Sequence, residues 1–374
     1  MRGVTRAWYF VCVRLGTCIA LELALAAGAV GGVWLGAGQL ATRAGDYLTR
    51  REAVAATTAP ALTPEPLPRA HLPLTLPKPV VTNVFGVPDD ELLAPLGAAP
   101  VKKIKLNRGG TSLSIRLDFE NGARASFKPE QIYTQSDPRR EIAAYRIDRL
   151  LGVGHVSPTK EIAVPLQQLL RGAADQEFRA YITSRIMDEA TIRQGVVHGE
   201  VSWWIPEIVL ARLGSLRIDE PAGRELWTSY LQVGAQIPPE LQPMLEQISL
   251  CVLFDVLIDN SDRWTGSNTE MSPDGKLLYF MDNTLSFSLA KYGHEANVDA
   301  MRRIQVFPRK FVQRLRGLTH QALVEALAMD PESTLAPLLR PIETRAVIAR
   351  RDNMLRYIDQ LIERFGEDAV LAFP

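Results

Sequence analysis

The sequence predicts an α+β fold of two lobes, a strand-rich amino lobe and a helical carboxyl lobe, preceded by one transmembrane helix. Residues 113–119 alternate between apolar and polar side chains and then reach Glu120-Asn121-Gly122, which is a β-hairpin signal. Residues 239–258 and 341–365 carry apolar patterns of helical length. Residues 15–38 are apolar over a length that fits one bilayer crossing.

Composition permits an enzyme and excludes several other classes of protein. A chain of 374 residues and 41.4 kDa is long enough for a bilobal domain with an appendage. Lys plus Arg and Asp plus Glu both number 42, so no net charge favours nucleic acid as a partner. The three cysteines, Cys12, Cys18 and Cys251, lie in apolar segments and favour neither a disulfide framework nor a thiolate metal site.

The predicted membrane helix runs from Leu15 to Gly38 and is interrupted only by Thr17 and Glu22. A cleaved signal peptide is the alternative, but its apolar core is usually about 7 to 15 residues long. Arginines flank both ends of the segment, so the positive-inside rule does not orient it. We therefore expect a single-pass membrane protein, with the side of the globular domain left open.

Three glycines of this segment, Gly28, Gly32 and Gly36, recur every four residues and share one helix face. Small residues at this spacing let two membrane helices approach closely, which predicts a homodimer. The alternative is that small residues are simply common in membrane spans rich in Ala and Gly. After the helix, prolines recur throughout residues 54–100, which predicts an extended spacer without helix or central strand.

The hairpin of the amino lobe ends in Ala125-Ser126-Phe127-Lys128-Pro129, and Lys128 is our candidate for gripping a nucleotide. An exposed lysine at a strand end is the alternative. Upstream, Gly109 and Gly110 would let backbone N–H groups approach a phosphate, although a plain turn is the favoured explanation of two adjacent glycines.

Asp137-Pro138 predicts the start of a helix that Gly152 ends. Glu141 falls in its first turn, where it either complements the helix dipole or forms an ion pair with Lys128. Further on, residues 177–186 favour a strand that leads to a hinge between the lobes. Helices are expected at 206–213, 225–233, 239–258 and 341–365.

The candidate active site follows the apolar segment that ends at Ile258. Asp262 comes first, Asn268 follows six residues later, and Asp282 stands at the end of a short apolar run. Phosphoryl transfer needs a carboxylate for the acceptor hydroxyl and oxygen ligands for Mg²⁺ on the phosphates. We assign Asp262 as catalytic base and Asp282 with Asn268 as metal ligands, and Ser267 competes with Asn268.

Each carboxylate also has a structural interpretation. Asp262 could cap the turn before Arg263, and Asp282 could belong to an Asx turn, because Asp-Asn is common turn chemistry. Asp259 and Asn260 are expected to support the loop.

Several segments resemble, in the same order, the Four-jointed and Golgi casein kinase family of secretory-pathway kinases. They are residues 125–129, 140–152, 156–158, 254–263 and 281–283. The resemblance covers roughly residues 101–289, and the carboxyl half is more distantly similar to HipA-like and phosphatidylinositol-kinase-like folds. It implies a protein-kinase-like fold, Lys128 on the phosphates, Glu141 as its helix partner or a metal-side carboxylate, Asp262 as base and Asp282 as metal ligand.

The chain departs from the family pattern at several positions. Trp264 stands where the family has His, and Thr284, Ser286 and Ser288 replace the glycines that follow the metal-binding Asp-Asn. The family's disulfides have no counterpart among the cysteines. The chain is therefore expected to be a divergent member, and its substrate cannot be inferred from those of the family.

These signals divide the chain into a basic N-terminus (1–14), a transmembrane helix (15–38), a Pro/Ala-rich linker (39–100), an amino lobe (101–187) and a carboxyl lobe with the catalytic loop (188–374). We predict a membrane-anchored kinase that uses ATP with Mg²⁺ or Mn²⁺ on a protein Ser/Thr or sugar hydroxyl. The alternatives are an inactive pseudokinase that acts as a binding module, and a lipid or phosphoinositide kinase.

Overall fold

A computed structural model describes residues 83–107, 112–173, 177–265 and 268–374. The predicted membrane helix with its glycine face, the linker up to residue 82, Gly109, Gly110 and Ser267 lie outside these residues. In the part that the structure describes, no helix combines the length and the apolar character that a bilayer crossing requires.

Within the described residues, the amino part consists of a sheet and four helices. Its elements are α1 (Asp89–Leu93), β1 (Val101–Leu106), β2 (Ile115–Phe119), β3 (Arg124–Pro129), α2 (Pro138–Leu151), β4 (Thr159–Pro165), α3 (Leu166–Gly172), α4 (Arg179–Glu189), β5 (Ile192–Arg193) and β6 (Val196–Trp203).

The carboxyl part is mainly helical. Its elements are β7 (Val209–Leu210), β8 (Arg212–Leu213), β9 (Leu216–Arg217), α5 (Pro221–Tyr230), α6 (Gln242–Ile258), β10 (Glu270–Met271), β11 (Leu278–Tyr279), α7 (Glu295–Arg302), α8 (Arg309–Gly317), α9 (His320–Ala326), α10 (Pro341–Phe365) and α11 (Glu367–Val370).

The large sheet has the order β1-β2-β3-β6-β4 with antiparallel neighbours, and β5 pairs with β6. Side chains alternate between the faces of a strand. Ala125 and Phe127 of β3 are therefore buried in the amino-lobe core, while Lys128 points to the opposite face. That opposite face forms one wall of the cavity described below.

The predicted β-hairpin is confirmed as β2 and β3. Gly122 has a φ of +84°, and the Phe119 backbone N–H donates to the Ala123 carbonyl oxygen at 2.9 Å. Asn121 accepts the Ala123 N–H through its side-chain oxygen at 3.1 Å. The turn therefore fixes the register that places Lys128 at the end of β3.

The predicted helix between Asp137 and Gly152 is confirmed as α2. The Asp137 carboxylate accepts the Arg139 N–H at 3.0 Å, and Pro138 occupies the first turn. Gly152 ends the helix at a φ of +60°, a conformation in which a side chain is strained. Glu141 is thereby held in the first turn, next to the sheet.

The buried helix α6 confirms the segment predicted at 239–258, although it begins three residues later. Asp259 follows in the left-handed conformation, with a φ of +56°, and turns the chain into the loop that carries Asp262. The predicted helix at 225–233 is confirmed as α5, shifted toward the amino terminus. The long helix at 341–365 is α10, with the predicted bounds.

The strand predicted at 177–186 is wrong, because this segment forms α4. Ile182 and Ile186, four residues apart, are buried in the core under the sheet, while Phe178 and Tyr181 are exposed. Aromatic and β-branched residues favoured a strand, and burial of one helical face outweighed that preference. The strand that leads toward the carboxyl lobe is β6, so the sheet continues past residue 187.

The helix predicted at 206–213 is also wrong. Residues 209–210 form β7, which pairs with β10, and residues 212–213 form β8, which pairs with β9. The partner of β7 lies about sixty residues away along the chain. A pattern within a few residues cannot predict a strand whose partner is so distant in sequence.

The end of the predicted linker is folded rather than extended. Residues 89–93 form α1, and Leu92 and Leu96 are buried. Asp89 accepts hydrogen bonds from Arg149 at 2.6 Å and Tyr145 at 3.0 Å. The ring of Phe85 packs against Trp203 of β6 and Tyr279 of β11, at centroid distances of 5.3 and 5.9 Å.

Candidate active site

Lys128 joins two acidic residues that are far apart in the sequence. Its Nζ donates to Glu141 Oε1 at 2.6 Å and to Asp282 Oδ1 at 2.8 Å. The ion pair between Lys128 and Glu141 is therefore present, as predicted. A strand end, the first turn of α2 and the loop after β11 converge at this point.

The charges of this cluster stabilise one another. Desolvation would lower the pKa of Lys128, but the surrounding carboxylates outweigh that effect and raise it. Desolvation would likewise raise the pKa of Asp282, but the Lys128 ammonium and hydrogen bonds lower it to about 2. Asp282 is thus ionised at neutral pH, and its side chain remains 44% exposed where it lines the cavity.

Glu141 also fixes the loop that carries Asp282. Its Oε1 accepts the Asn283 backbone N–H at 2.9 Å, and its Oε2 accepts from Asn283 Nδ2 at 3.2 Å. Glu141 is buried, so these hydrogen bonds satisfy a carboxylate that is largely removed from water. One side chain therefore orients both Lys128 and the backbone next to Asp282.

Asp262 lies on the loop after α6, and two side chains hold its carboxylate. Asn268 Nδ2 donates to Oδ2 at 2.7 Å, and Thr265 Oγ1 donates to Oδ1 at 2.5 Å. The loop that is one residue longer than in protein kinases therefore still brings Asn268 next to Asp262. Asn268 donates through nitrogen here, so a metal ion would have to bind its Oδ1.

Asn260 connects the two loops of the site. Its Nδ2 donates to the Asp282 carbonyl oxygen at 3.0 Å, and its Oδ1 accepts the Asp262 N–H at 3.1 Å. Asp259 accepts from the Ser288 hydroxyl and the His294 N–H. Both residues therefore make the supporting contacts that the sequence interpretation expects of them.

Arg263 is a central residue that the sequence analysis did not single out. It is fully buried, its Nε lies 3.3 Å from both Asp255 carboxylate oxygens, and its Nη2 donates to Asn283 Oδ1 at 2.7 Å. It also donates to the carbonyl oxygens of Met281 and Asn268. Arg263 thus ties α6 to both loops of the site.

Replacing Arg263 by Met should lower the free energy of unfolding by about 3–5 kcal/mol, because Asp255 would stay buried without its partner. Urea unfolding followed by circular dichroism measures this loss. Arg316→Met is the matched control, because its ion pair with Asp359 is about half exposed and should contribute at most about 1 kcal/mol. Equal losses in the two variants would contradict this role of Arg263.

Two of the positions that differ from the family pattern make identifiable contacts. Thr284 Oγ1 donates to Asp282 Oδ1 at 2.8 Å and so holds that carboxylate. Trp264 is buried and packs on Trp227 at a ring distance of 5.5 Å, which places it in the carboxyl-lobe core.

A cavity of about 630 Å³ opens in front of the cluster, within the size range of small-ligand sites. Its charged and amide lining includes Lys128, Glu141, Glu200, Asn268, Glu270 and Asp282. Its apolar lining includes Val156, Ile205, Ile208, Leu210 and Phe280. The lining therefore combines charged and apolar side chains, as is usual for the binding site of a small organic ligand.

Glu200 and Glu270 are cavity residues that the sequence analysis missed. Desolvation raises the pKa of Glu270 to about 7 and that of buried Glu200 well above its usual value. Glu200 is the register partner of Lys128 in the sheet, and this pairing becomes visible only once the sheet is assembled.

The residues present fit a divalent cation held together with phosphates. Mg²⁺ is usually bound by one or two carboxylates plus phosphate oxygens, and Asp282 with the Asn268 oxygen matches this ligand set. Among the described residues, no group of three or more His, Cys, Asp and Glu side chains is arranged to hold a metal. Gly109 and Gly110 lie outside the described residues, so their phosphate role stays a prediction.

Comparison with known proteins confirms the resemblance found in the motifs. The chain is 22% identical over 326 residues to the human extracellular serine/threonine protein kinase FAM20C, which covers 75% of this chain and 56% of that protein. It is 32% identical over 83 residues to the kinase CeFam20 of Caenorhabditis elegans, covering 19% and 16%. The chain thus spans just over half of the human relative. No family model matches it.

Solved structures show the same fold. The crystal structure of the Golgi casein kinase superposes with a TM-score of 0.57 at 18% identity, over 76% of this chain and 78% of that one. Its complex with Mn and ADP gives the same values. Hydra Fam20 with sugar superposes with a TM-score of 0.53 at 16% identity, over 74% and 90%. The described part of the chain therefore has the kinase-like fold that the motifs predict.

Proposed function

We propose that this chain is a kinase that transfers the γ-phosphate of ATP to a hydroxyl group of a protein Ser/Thr or a sugar. The observation that carries the proposal is the cluster in which Lys128 contacts both Glu141 and Asp282 at one end of the cavity. The similar human protein is named as a serine/threonine protein kinase, and a neighbour in fold was solved with Mn and ADP.

In the proposed mechanism, Lys128 grips the phosphates and Glu141 keeps its ammonium aimed at them. Asp282 and the Asn268 oxygen would hold Mg²⁺ or Mn²⁺, which neutralises the charge on the phosphates when it is bound. Asp262 orients the acceptor hydroxyl and accepts its proton. Its two oxygens are already held by Thr265 and Asn268, which limits the reorganisation needed for the reaction.

We further propose that the protein is anchored in a membrane by a single helix at residues 15–38. The length of this apolar run and its flanking arginines support the proposal. Extraction of membranes at alkaline pH tests it, because an integral protein stays in the pellet. Release into the supernatant would contradict the anchor without affecting the kinase proposal.

The direct test of activity is incubation of the full-length chain with labelled ATP and Mn²⁺ or Mg²⁺, alone and with casein or a sugar acceptor. Metal-dependent transfer of label to the chain or to an acceptor supports a kinase. Tight binding of nucleotide without any transfer would instead favour the pseudokinase alternative.

Lys128 and Glu141 should behave as one functional unit. Lys128→Met and Glu141→Gln should each reduce kcat/KM by about 100-fold or more, and the double variant should be scarcely worse. A double-mutant cycle on folded proteins, checked by thermal unfolding, measures the coupling. If the two losses simply multiply, Glu141 acts as a helix-dipole charge and the ion pair has no role in transfer.

A further inference from the structure

Glu200 is a buried carboxyl group with one unsatisfied oxygen. The residue is 1% exposed, and its Oε2 accepts from Ser202 Oγ at 2.8 Å. Its Oε1 has no hydrogen-bond partner among the described residues. Leaving a buried acceptor unsatisfied costs about 1–3 kcal/mol, so a retained atom of this kind calls for an explanation.

The sheet register places Glu200 directly opposite Lys128. Lys128 of β3 and Glu200 of β6 are direct partners in the antiparallel pair, and both line the cavity. Directly opposed side chains on one face lie close together. Glu200 is also one of the carboxylates whose charge raises the pKa of Lys128, although desolvation opposes that rise.

Lys128 binds a carboxylate oxygen that a metal ion on the nucleotide would need as a ligand. Its Nζ contacts Asp282 Oδ1, and Asp282 is the proposed metal ligand. A divalent cation on that carboxylate would stand close to the ammonium, and like charges at such distances repel strongly away from water. Glu141 Oε1 is already shared with the Asn283 N–H, whereas Glu200 Oε1 is open.

We propose that Glu200 is a positioning residue that accepts the Lys128 ammonium when a metal-bound nucleotide takes Asp282. The inference rests on the proposed function, because it concerns the same site. In the absence of metal, Lys128 bridges Glu141 and Asp282. With metal and nucleotide bound, Lys128 bridges Glu141 and Glu200 and stays within reach of the phosphates.

The test compares ADP binding with and without Mn²⁺ by calorimetry on the full-length chain. The measured quantity is the factor by which Mn²⁺ tightens ADP binding. In Glu200→Gln, which keeps the size of the side chain, this factor should fall at least about tenfold. ADP binding without metal should not weaken, because in that state Lys128 is held by Glu141 and Asp282 and not by Glu200.

Glu161→Gln is the matched control. Glu161 is the partner of Glu200 on the neighbouring strand β4, and it accepts from the Ser333 and Thr334 hydroxyls instead of lining the cavity. In Glu161→Gln, the factor by which Mn²⁺ tightens ADP binding should equal that of the unmodified chain. Thermal unfolding of both variants shows whether either substitution disturbs the fold.

The same measurement in a Lys128→Met background decides whether Glu200 acts through the lysine. There, Glu200→Gln should leave the Mn²⁺ factor unchanged. A further drop of the Mn²⁺ factor in this background would mean that Glu200 contacts the metal itself, which overturns the proposal. An unchanged Mn²⁺ factor in the Glu200→Gln single variant would also overturn it. So would an ADP affinity that falls equally with and without Mn²⁺. If the Mn²⁺ factors are as expected but no phosphoryl transfer is detected, the proposed kinase activity is wrong and the role of Glu200 still holds.

Discussion

Replacing Asp262 by Asn should reduce kcat by about 10²–10⁴-fold while leaving the affinity for ADP with Mn²⁺ within about threefold of the unmodified chain. Asn cannot accept the proton of the acceptor hydroxyl, but it keeps the size of Asp. Its oxygen can accept from Asn268, and its amide group can donate to the Thr265 hydroxyl. Asp262 does not contact Lys128, so the grip on the phosphates should persist. Single-turnover transfer assays and calorimetry measure the two quantities.

Asp274→Asn is the control for this substitution, because Asp274 lies in the turn between β10 and β11 with a side chain that is 55% exposed. Its transfer rate should match that of the unmodified chain. If Asp262→Asn transfers phosphate at the rate of the unmodified chain, Asp262 is not the catalytic base. If its ADP affinity falls together with its transfer rate, the role of Asp262 is structural.

Replacing Asp282 by Ala should abolish the metal-dependent part of nucleotide binding and, with it, phosphoryl transfer. Its carboxylate is the proposed ligand of a metal ion on the phosphates, and it also forms an ion pair with Lys128. We expect ADP affinity in the presence of Mn²⁺ to fall at least about 30-fold, which corresponds to about 2 kcal/mol. Calorimetry with Mn²⁺ and with a chelator measures the metal-dependent and metal-free affinities separately.

Metal-free binding is the internal control for Asp282→Ala. It should be unchanged or tighter, because the carboxylate repels the phosphates when no metal lies between them. An unchanged affinity in the presence of Mn²⁺ would show that the metal binds elsewhere. Thr284→Val, which removes only the hydroxyl that donates to Asp282, should have a small effect by comparison.

Much of the amino lobe could be predicted because its signals are local. The Asn121-Gly122 turn encodes a hairpin within a few residues, and Asp137-Pro138 with Gly152 delimits α2 in the same way. The position of Lys128 and that of Glu141 follow from these elements. From the residues alone, their contact with each other is one of two alternatives for Glu141, and the family resemblance favours it.

The features that could not be predicted depend on partners that are distant in sequence. Residues 177–186 have the composition of a strand, but they form a helix because Ile182 and Ile186 on one helical face are buried in the core beneath the sheet. Glu200 acquires its position only when β6 inserts between β3 and β4. The buried pair of Arg263 and Asp255 shows no sequence signal beyond two charges, one of them inside an apolar helix.

The aromatic ring of Phe85 has a mechanical consequence. It is wedged between Trp203, where the sheet ends, and Tyr279 of the carboxyl lobe. A displacement of Trp203 relative to Tyr279 would therefore break at least one of these two ring contacts. Because Phe85 lies only two residues after Asn83, where the described residues begin, a force applied to the chain at that point would act on both ring contacts at once.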